Sequence, residues 1–187
     1  MQIAQSKTRE QFPLSYKKIM KKTIARTIAT VILLIVVLGF LFFISISGSV
    51  SQEAAGWFGA AAFGIFVFLF LVILLTYLYQ RWYFAVYFYD LTDDFIQIKK
   101  GPITPREITI PYERIQDVYV DQDLLDRMFG LYDVHLSSAT VSSGMEAHID
   151  GVEKQAAEGI RAILLQTVKE RISKNRIATP PNTSRTS

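Results

Sequence analysis

Two periods of apolar spacing divide the chain. From Thr27 to Gln52 no charged side chain interrupts it, and after Glu53 a second uncharged run extends from Ala54 to Gln80. A helix needs about 20 apolar residues to cross roughly 30 Å of hydrocarbon, and both runs exceed that. They predict two membrane helices, over 24–47 and 54–80, joined by an external loop over 48–53. Beyond Arg81 the spacing shortens to that of half-buried strands. Trp82–Tyr89 is rich in aromatic and β-branched residues and predicts a strand. Asp90–Asp94 (DLTDD) predicts a polar turn, and Ile96/Ile98, Ile108/Ile110 and Val118/Val120 each alternate with polar neighbours. Gly101-Pro102 and Pro111 punctuate these runs.

In DQDLLDRMFG, Asp123 predicts an N-cap, Leu124–Phe129 a short helix, and Gly130 its left-handed stop. Val134/Leu136 and Met145/Ala147/Ile149 predict two more strands around a turn near Ala139–Gly144. Val152, Ala156, Ile160, Ile163, Leu164, Thr167 and Ile172 then recur at helical spacing. Lys169, Arg171 and Lys174 near the end of that helix suit its dipole, as Glu153 does near its start. Six short strands, one helical turn and a closing amphipathic helix predict a bent sheet with the helix laid across its open face or end. This domain is expected over 81–174, followed by a disordered tail over 175–187 that begins just ahead of Pro180-Pro181.

Charge assigns these parts to sides of a membrane. The net charge of +3 over 187 residues conceals a split. Residues 1–26 hold seven Lys/Arg against Glu10 alone, while 81–174 hold eleven against fifteen Asp/Glu. An acidic domain disfavours nucleic acid as a partner. Lys17, Lys18, Lys21, Lys22 and Arg26 precede the first run and Arg81 follows the second, whereas the link between the runs has no positive charge. Positive flanks stay cytoplasmic, so a basic arm over 1–23, both termini and the domain are expected inside. Tyr77, Tyr79, Trp82 and Tyr83 would form the inner aromatic belt, and Trp57 and Phe58 the outer one. Residues 12–22 are expected either to lie on the inner leaflet, with Phe12, Leu14 and Ile19 dipping into lipid, or to form a solvated tail.

Little catalytic chemistry is visible. The absence of cysteine excludes disulfides, thiolate metal sites and cysteine nucleophiles. Neither apolar run carries an ionisable group of the kind that ion and proton pathways use, so transport by this chain alone is disfavoured. Gly56, Ala60 and Gly64 form a small-residue stripe suited to close helix contact, with the first helix or with another subunit. Lys99, Lys100 and Arg106 flank the Gly101-Pro102 turn and offer a candidate anion site, against the plain account of solvated hairpin charges. Arg114 is expected to pair with Glu113, Asp117 or Asp126 and fix local geometry, and Asp126 is expected on a solvated helix face. A symmetric hairpin would place His135 opposite His148 and Asp133 opposite Asp150, a candidate for a divalent metal that one residue of register slip would abolish. Ser143, His148 and Asp150 lack the elbow and oxyanion turn of a hydrolase.

FIQIKKG, ITIPYERIQDVYV, LLDRMFGLYDVHL and MEAHIDGV, in that order, resemble the bacterial pleckstrin-homology domain family often called bPH2, or YdbS-like. The resemblance covers roughly residues 81–170. It implies a seven-stranded, partly open barrel capped by a helix, often placed after two transmembrane helices. It brings no established catalytic residues. Pleckstrin-homology domains often bind inositol phosphates through the loop between their first two strands, but here that loop is DLTDD, whose three carboxylates repel phosphate. The expected protein is therefore a cell-membrane-anchored binding module without cofactor or reaction. Membrane lipids and a homo-oligomer, or a hetero-oligomer with a related membrane protein, are the expected partners. Lipid-headgroup recognition at Lys99/Lys100/Arg106 is the first alternative, and metal binding at His135/His148 the second.

Overall fold

The computed structural model describes residues 6–46, 52–138 and 147–178. Most of the connecting loop, the Ala139–Gly144 turn with Met145, and residues 179–187 lie outside the described residues. The chain forms two compact units, one of residues 19–84 and the other of residues 1–18 together with 85–187.

The first unit is a pair of helices. Helix α2 (Lys17–Ile46) has 30 residues and α3 (Gln52–Val86) has 35. At 1.5 Å per residue they extend about 45 and 52 Å. Lys17–Ile44 and Gly56–Val86 are long and apolar enough to cross a membrane. Leu33, Phe42 and Phe70 are among many large apolar side chains that point outward, the pattern of a helix surrounded by apolar material. Between the helices runs an apolar groove of about 460 Å³ lined in part by Thr23, Thr27, Leu74 and Tyr77. The two threonines suit it because their hydroxyls donate back to Ile19 O and Thr23 O, at 2.8 and 2.9 Å. Arg26 lies over the Tyr79 ring, 5.4 Å from its centroid, and donates through Nε and Nη1 to the Gln80 amide oxygen at 3.1 Å.

Both helices are longer than the spacing predicts. The expected strand Trp82–Tyr89 is instead the last turn of α3 as far as Val86, and strand β1 (Phe88–Leu91) begins two residues on. No glycine or proline lies between Gly64 and Gly101, and extending an existing helix costs far less than nucleating one. Among the described residues, a Cβ at Gly56 or Gly64 would meet nothing within 4 Å, so these two positions of the stripe are not packed on the first helix.

Among the described residues, the second unit holds six strands in two antiparallel sheets. One is β1, β2 (Phe95–Lys100) and β3 (Arg106–Pro111); the other is β4 (Ile115–Asp121), β5 (Leu131–Ser138) and β6 (Ala147–Glu153). The seven-stranded barrel that the resemblance implies is not closed among the described residues. A single 3-10 turn, Tyr112–Arg114, separates β3 from β4 just after Pro111. Ile96, Ile98, Ile110, Val118, Val134, Leu136, Ala147 and Ile149 are buried, as the alternation predicts. Short helix α4 (Leu124–Phe129) has Asp123 as N-cap and Gly130 at φ +66° as its stop. Asp126 departs from expectation: it is fully buried, because its side chain closes a reciprocal capping box with Asp123.

Helix α5 (Lys154–Ala178) lies across β4, β5, β6 and the 3-10 turn. It buries Ala157, Ile160 and Leu164, with Ala156, Ile163 and Thr167 at the margin. Val152 and Glu153 belong to β6 rather than to the helix, and Ile172 is 41% exposed, so the buried stripe is shorter than its spacing suggests.

Candidate functional site

The β5–β6 pair contains an irregularity that organises the unit. Tyr132 pairs with Val152 and Val134 with Ile149, so Asp133 alone faces the two residues Asp150 and Gly151. This is a β-bulge, and Gly151 at φ +78° supplies its left-handed residue. The extra residue turns Asp150 off the polar face. The expected Asp133–Asp150 pair is therefore not formed, although His135 does lie opposite His148. Asp133 Oδ1 instead accepts from the Gly151 N–H at 2.8 Å.

Asp150, turned inward, meets Lys18 from the basic arm. Lys18 Nζ donates to Asp150 Oδ1 at 2.8 Å and to Asp150 O at 3.0 Å, and sits 3.7 Å from the centroid of the Tyr87 ring. Lys and Asp side chains are 3% and 6% exposed, which makes this a fully desolvated pair. Gly151 is needed a second time here, since a Cβ on it would lie 2.6 Å from Lys18 Cδ. Tyr87 is fixed in turn by donating its hydroxyl to His148 O at 3.1 Å.

The rest of the arm follows Lys18 onto the domain. Ser15 N–H donates to Gly151 O at 2.9 Å, and Leu14 forms a bridge with Val152, so the outer edge of β6 is covered. Phe12 packs where a Cβ on Gly159 would stand. Ser6 caps helix α1 (Lys7–Gln11) by accepting from Arg9 N, and its hydroxyl lies 2.7 Å from Tyr89 O, to which it donates. Thr8 Oγ1 accepts from Leu91 N–H at 3.1 Å, which covers β1. The arm was expected on lipid or in solvent; Leu14 and Lys18 are instead buried in protein, and Phe12 is half-buried against Gly159. The cause is the bulge, which creates an internal anion that linear charge counting cannot locate.

The DLTDD turn is also used internally. Arg171 of α5 donates to Asp94 Oδ1 at 2.6 Å and to Asp93 O. Tyr112 is buried and donates to Thr92 O at 2.8 Å, while Tyr89 donates to Phe12 O. Burial pushes the Tyr112 hydroxyl up to about 12, with Asp90 and Asp93 adding to the effect; burial likewise raises Tyr89, against an opposing pull from Arg9. The unfolded chain thus releases these protons near pH 10 while the folded chain retains them, so their contribution is intact below pH 10 and lost as pH rises. We expect alkaline unfolding to set in above about pH 10, with stability falling by about 1.4 kcal/mol per pH unit for each tyrosine. Tyr112→Phe should reduce that slope, measured by circular dichroism across a pH series.

Lys99 pairs across the strands with Glu107 at 3.2 Å, and Lys100 lies directly opposite Arg106 at the end of the β2–β3 ladder, beside Gly101 at φ +102°. Lys17 pairs with Glu153 at 3.2 Å near the foot of α5, and Lys21 is buried. Arg114 is exposed in the 3-10 turn and joins no ion pair among the described residues.

On the outer face of the β4–β5–β6 sheet, His135 is stacked between Tyr119 and His148, at centroid distances of 4.9 and 5.4 Å. Its Nε2 lies 3.1 Å from Asp121 Oδ1. The pairing of His135 with His148 was legible from the hairpin; the approach of Asp121 was not, because it required the β4–β5 register. Leu124 and Met128, one turn apart on α4, are 78% and 73% exposed.

Residues 23–168, well over half of the chain, match the family described as bacterial PH domain. No curated protein and no solved structure matches.

Proposed function

The chain belongs to the bacterial PH domain family, and from that premise we propose that it is a membrane-anchored binding module at the cytoplasmic face, acting by protein–protein association without a reaction of its own. The observation that carries this reading is the absence of linkers. Only Tyr87 separates α3 from β1, and α2 begins at Lys17, next to the Lys18 side chain that the domain buries. With the two apolar helices in a bilayer, the domain cannot leave the inner surface, and a partner in the same membrane meets it at high effective concentration. The arm covers the outer edges of β1 and β6, so β3 and β4 remain as the outer strands for an extended partner segment. The open Gly56–Ala60–Gly64 stripe offers a second contact, helix against helix, to another copy or a related subunit.

The cysteine-free chain makes the test direct. A single cysteine at Ala60 should form a crosslinked dimer or a crosslinked complex in native membranes, and one at Ser137 should label with impermeant maleimide only after the cells are opened. Labelling of Ser137→Cys on intact cells would overturn the inward placement. An Ala60→Cys protein that stays monomeric and captures nothing would overturn association through the stripe. A second reading, recognition of an anionic headgroup, is favoured by the juxtaposition of Lys100 and Arg106. It predicts saturable binding of glycerol phosphate to the solubilised full chain, lost in the Lys100→Ala/Arg106→Ala double variant.

A further inference from the structure

The outer face of the second sheet brings together three potential metal ligands from adjoining strands. Asp121 at the end of β4 lies directly opposite Asp133 of β5, and His135 is two residues further along β5, on the same face. The donor atoms of these three residues all lie within 4.8 Å of one another. Carboxylates placed directly across a strand pair repel each other, and a cation between them converts that repulsion into attraction. Tetrahedral zinc with bonds near 2.1 Å separates its ligand atoms by about 3.4 Å. The 3.1 Å between Asp121 Oδ1 and His135 Nε2 is already close to that value.

Two further features hold the set in place. The His135 ring is stacked on both faces, by Tyr119 at an interplanar angle of 5° and by His148 at 23°. Asp133 is oriented by the Gly151 N–H of the third strand, which donates to its Oδ1 at 2.8 Å. A backbone donor on a ligating carboxylate and stacked neighbours around a ligating ring are outer-shell supports that fix ligand direction. The Asp121 side chain is 57% exposed, so it can swing to close the site, and solvent can occupy the remaining coordination positions.

We propose that Asp121, Asp133 and His135 bind a divalent cation of the zinc class, through one imidazole nitrogen and two carboxylate oxygens. The imidazole binds through the Nε2 lone pair with its proton on Nδ1, so its hydrogen bond to Asp121 is exchanged for two bonds to the metal. A mixed nitrogen and oxygen set suits zinc above magnesium or calcium. The ligand set differs from a His135/His148 pair: His148 stacks on the ring and supplies no donor atom.

The experiment is calorimetric titration of Zn²⁺ into the full chain in mild detergent, purified without a histidine tag and stripped with chelator. One equivalent should bind in the micromolar range. Asp121→Asn and His135→Ala should each weaken it by about tenfold or more, and His148→Ala should retain it. Asp121 is the decisive position because its exposed side chain can change without disturbing the fold, which circular dichroism checks for every variant. Failure to bind one equivalent up to about 1 mM, or wild-type affinity in Asp121→Asn, would overturn the site and leave an ordinary His–Asp hydrogen bond. Equal loss in His148→Ala would overturn the ligand set.

Discussion

Asp150→Ala should destabilise the folded domain by about 3–5 kcal/mol, the range for breaking a buried pair by removing one partner. The charge left behind, Lys18, is 3% exposed and would lose the carboxylate it pairs with at 2.8 Å. For a domain of about 100 residues each kcal/mol is worth roughly 4–8 °C, so the melting temperature should drop by about 12 °C or more. Removing the lysine while keeping the carboxylate, as in Lys18→Met, should cost a similar amount. The double variant Lys18→Met/Asp150→Leu should recover most of the loss, since apolar replacements of a buried pair are often neutral or better. Thermal unfolding of the full chain in detergent, followed by circular dichroism, measures all three. A fall of under about 1 kcal/mol for Asp150→Ala would mean that the pair is solvated, as surface pairs are, and that the arm does not depend on it.

Gly151→Val should be comparably damaging for a different reason. The residue stands at φ +78°, where a β-branched side chain is strongly disfavoured, and its Cβ would lie 2.6–2.8 Å from three Lys18 carbons. The left-handed conformation alone costs about 1–2 kcal/mol for an ordinary L-residue. The steric clash then expels Lys18, which leaves Asp150 buried without its ammonium. We therefore expect about 3 kcal/mol or more in total. Because both substitutions empty the same clamp, Gly151→Val combined with Asp150→Ala should be far from additive. Limited proteolysis provides the second measurement: the arm around Arg9 and Lys17 should become cleavable by trypsin in either variant and stay protected in the wild type. Additive effects with a protected arm would show that Gly151 serves only the bulge.

These expectations bear on function through the arm. Covering β1 and β6 with residues 6–18 leaves each sheet one outer strand without that cover. Release of the arm would uncover a second strand edge on each sheet and detach the Lys18 side chain, close to the start of α2. A basic segment that reads as a membrane tether is thus also a structural member of the domain.

Much of the architecture was legible because local chemistry decides it. The uncharged runs on either side of Glu53 can satisfy their backbone and bury their side chains as long helices in an apolar medium, whatever the rest of the chain does. Alternation at Ile96/Ile98, Val134/Leu136 and Ala147/Ile149 specifies buried faces because strand side chains alternate by geometry. Asp123 and Gly130 mark the ends of α4 through cap chemistry that depends on a few neighbouring residues. The His135–His148 pairing follows from a hairpin count between two recognisable strands.

What tertiary structure decided depended on long-range register. Trp82–Val86 suits strand or helix equally by composition, and the helix already running from Gln52 settled the choice. Asp150 sits in a polar alternation until one extra residue at Gly151 turns it inward, and only then does a lysine 132 positions earlier acquire a buried partner. Asp121 approaches His135 because β4 and β5 align in one register out of several that the pattern allows. Local sequence fixes which residues can be buried, but a buried charge is tolerated only beside its counter-charge, and that pairing exists only after the strands have met.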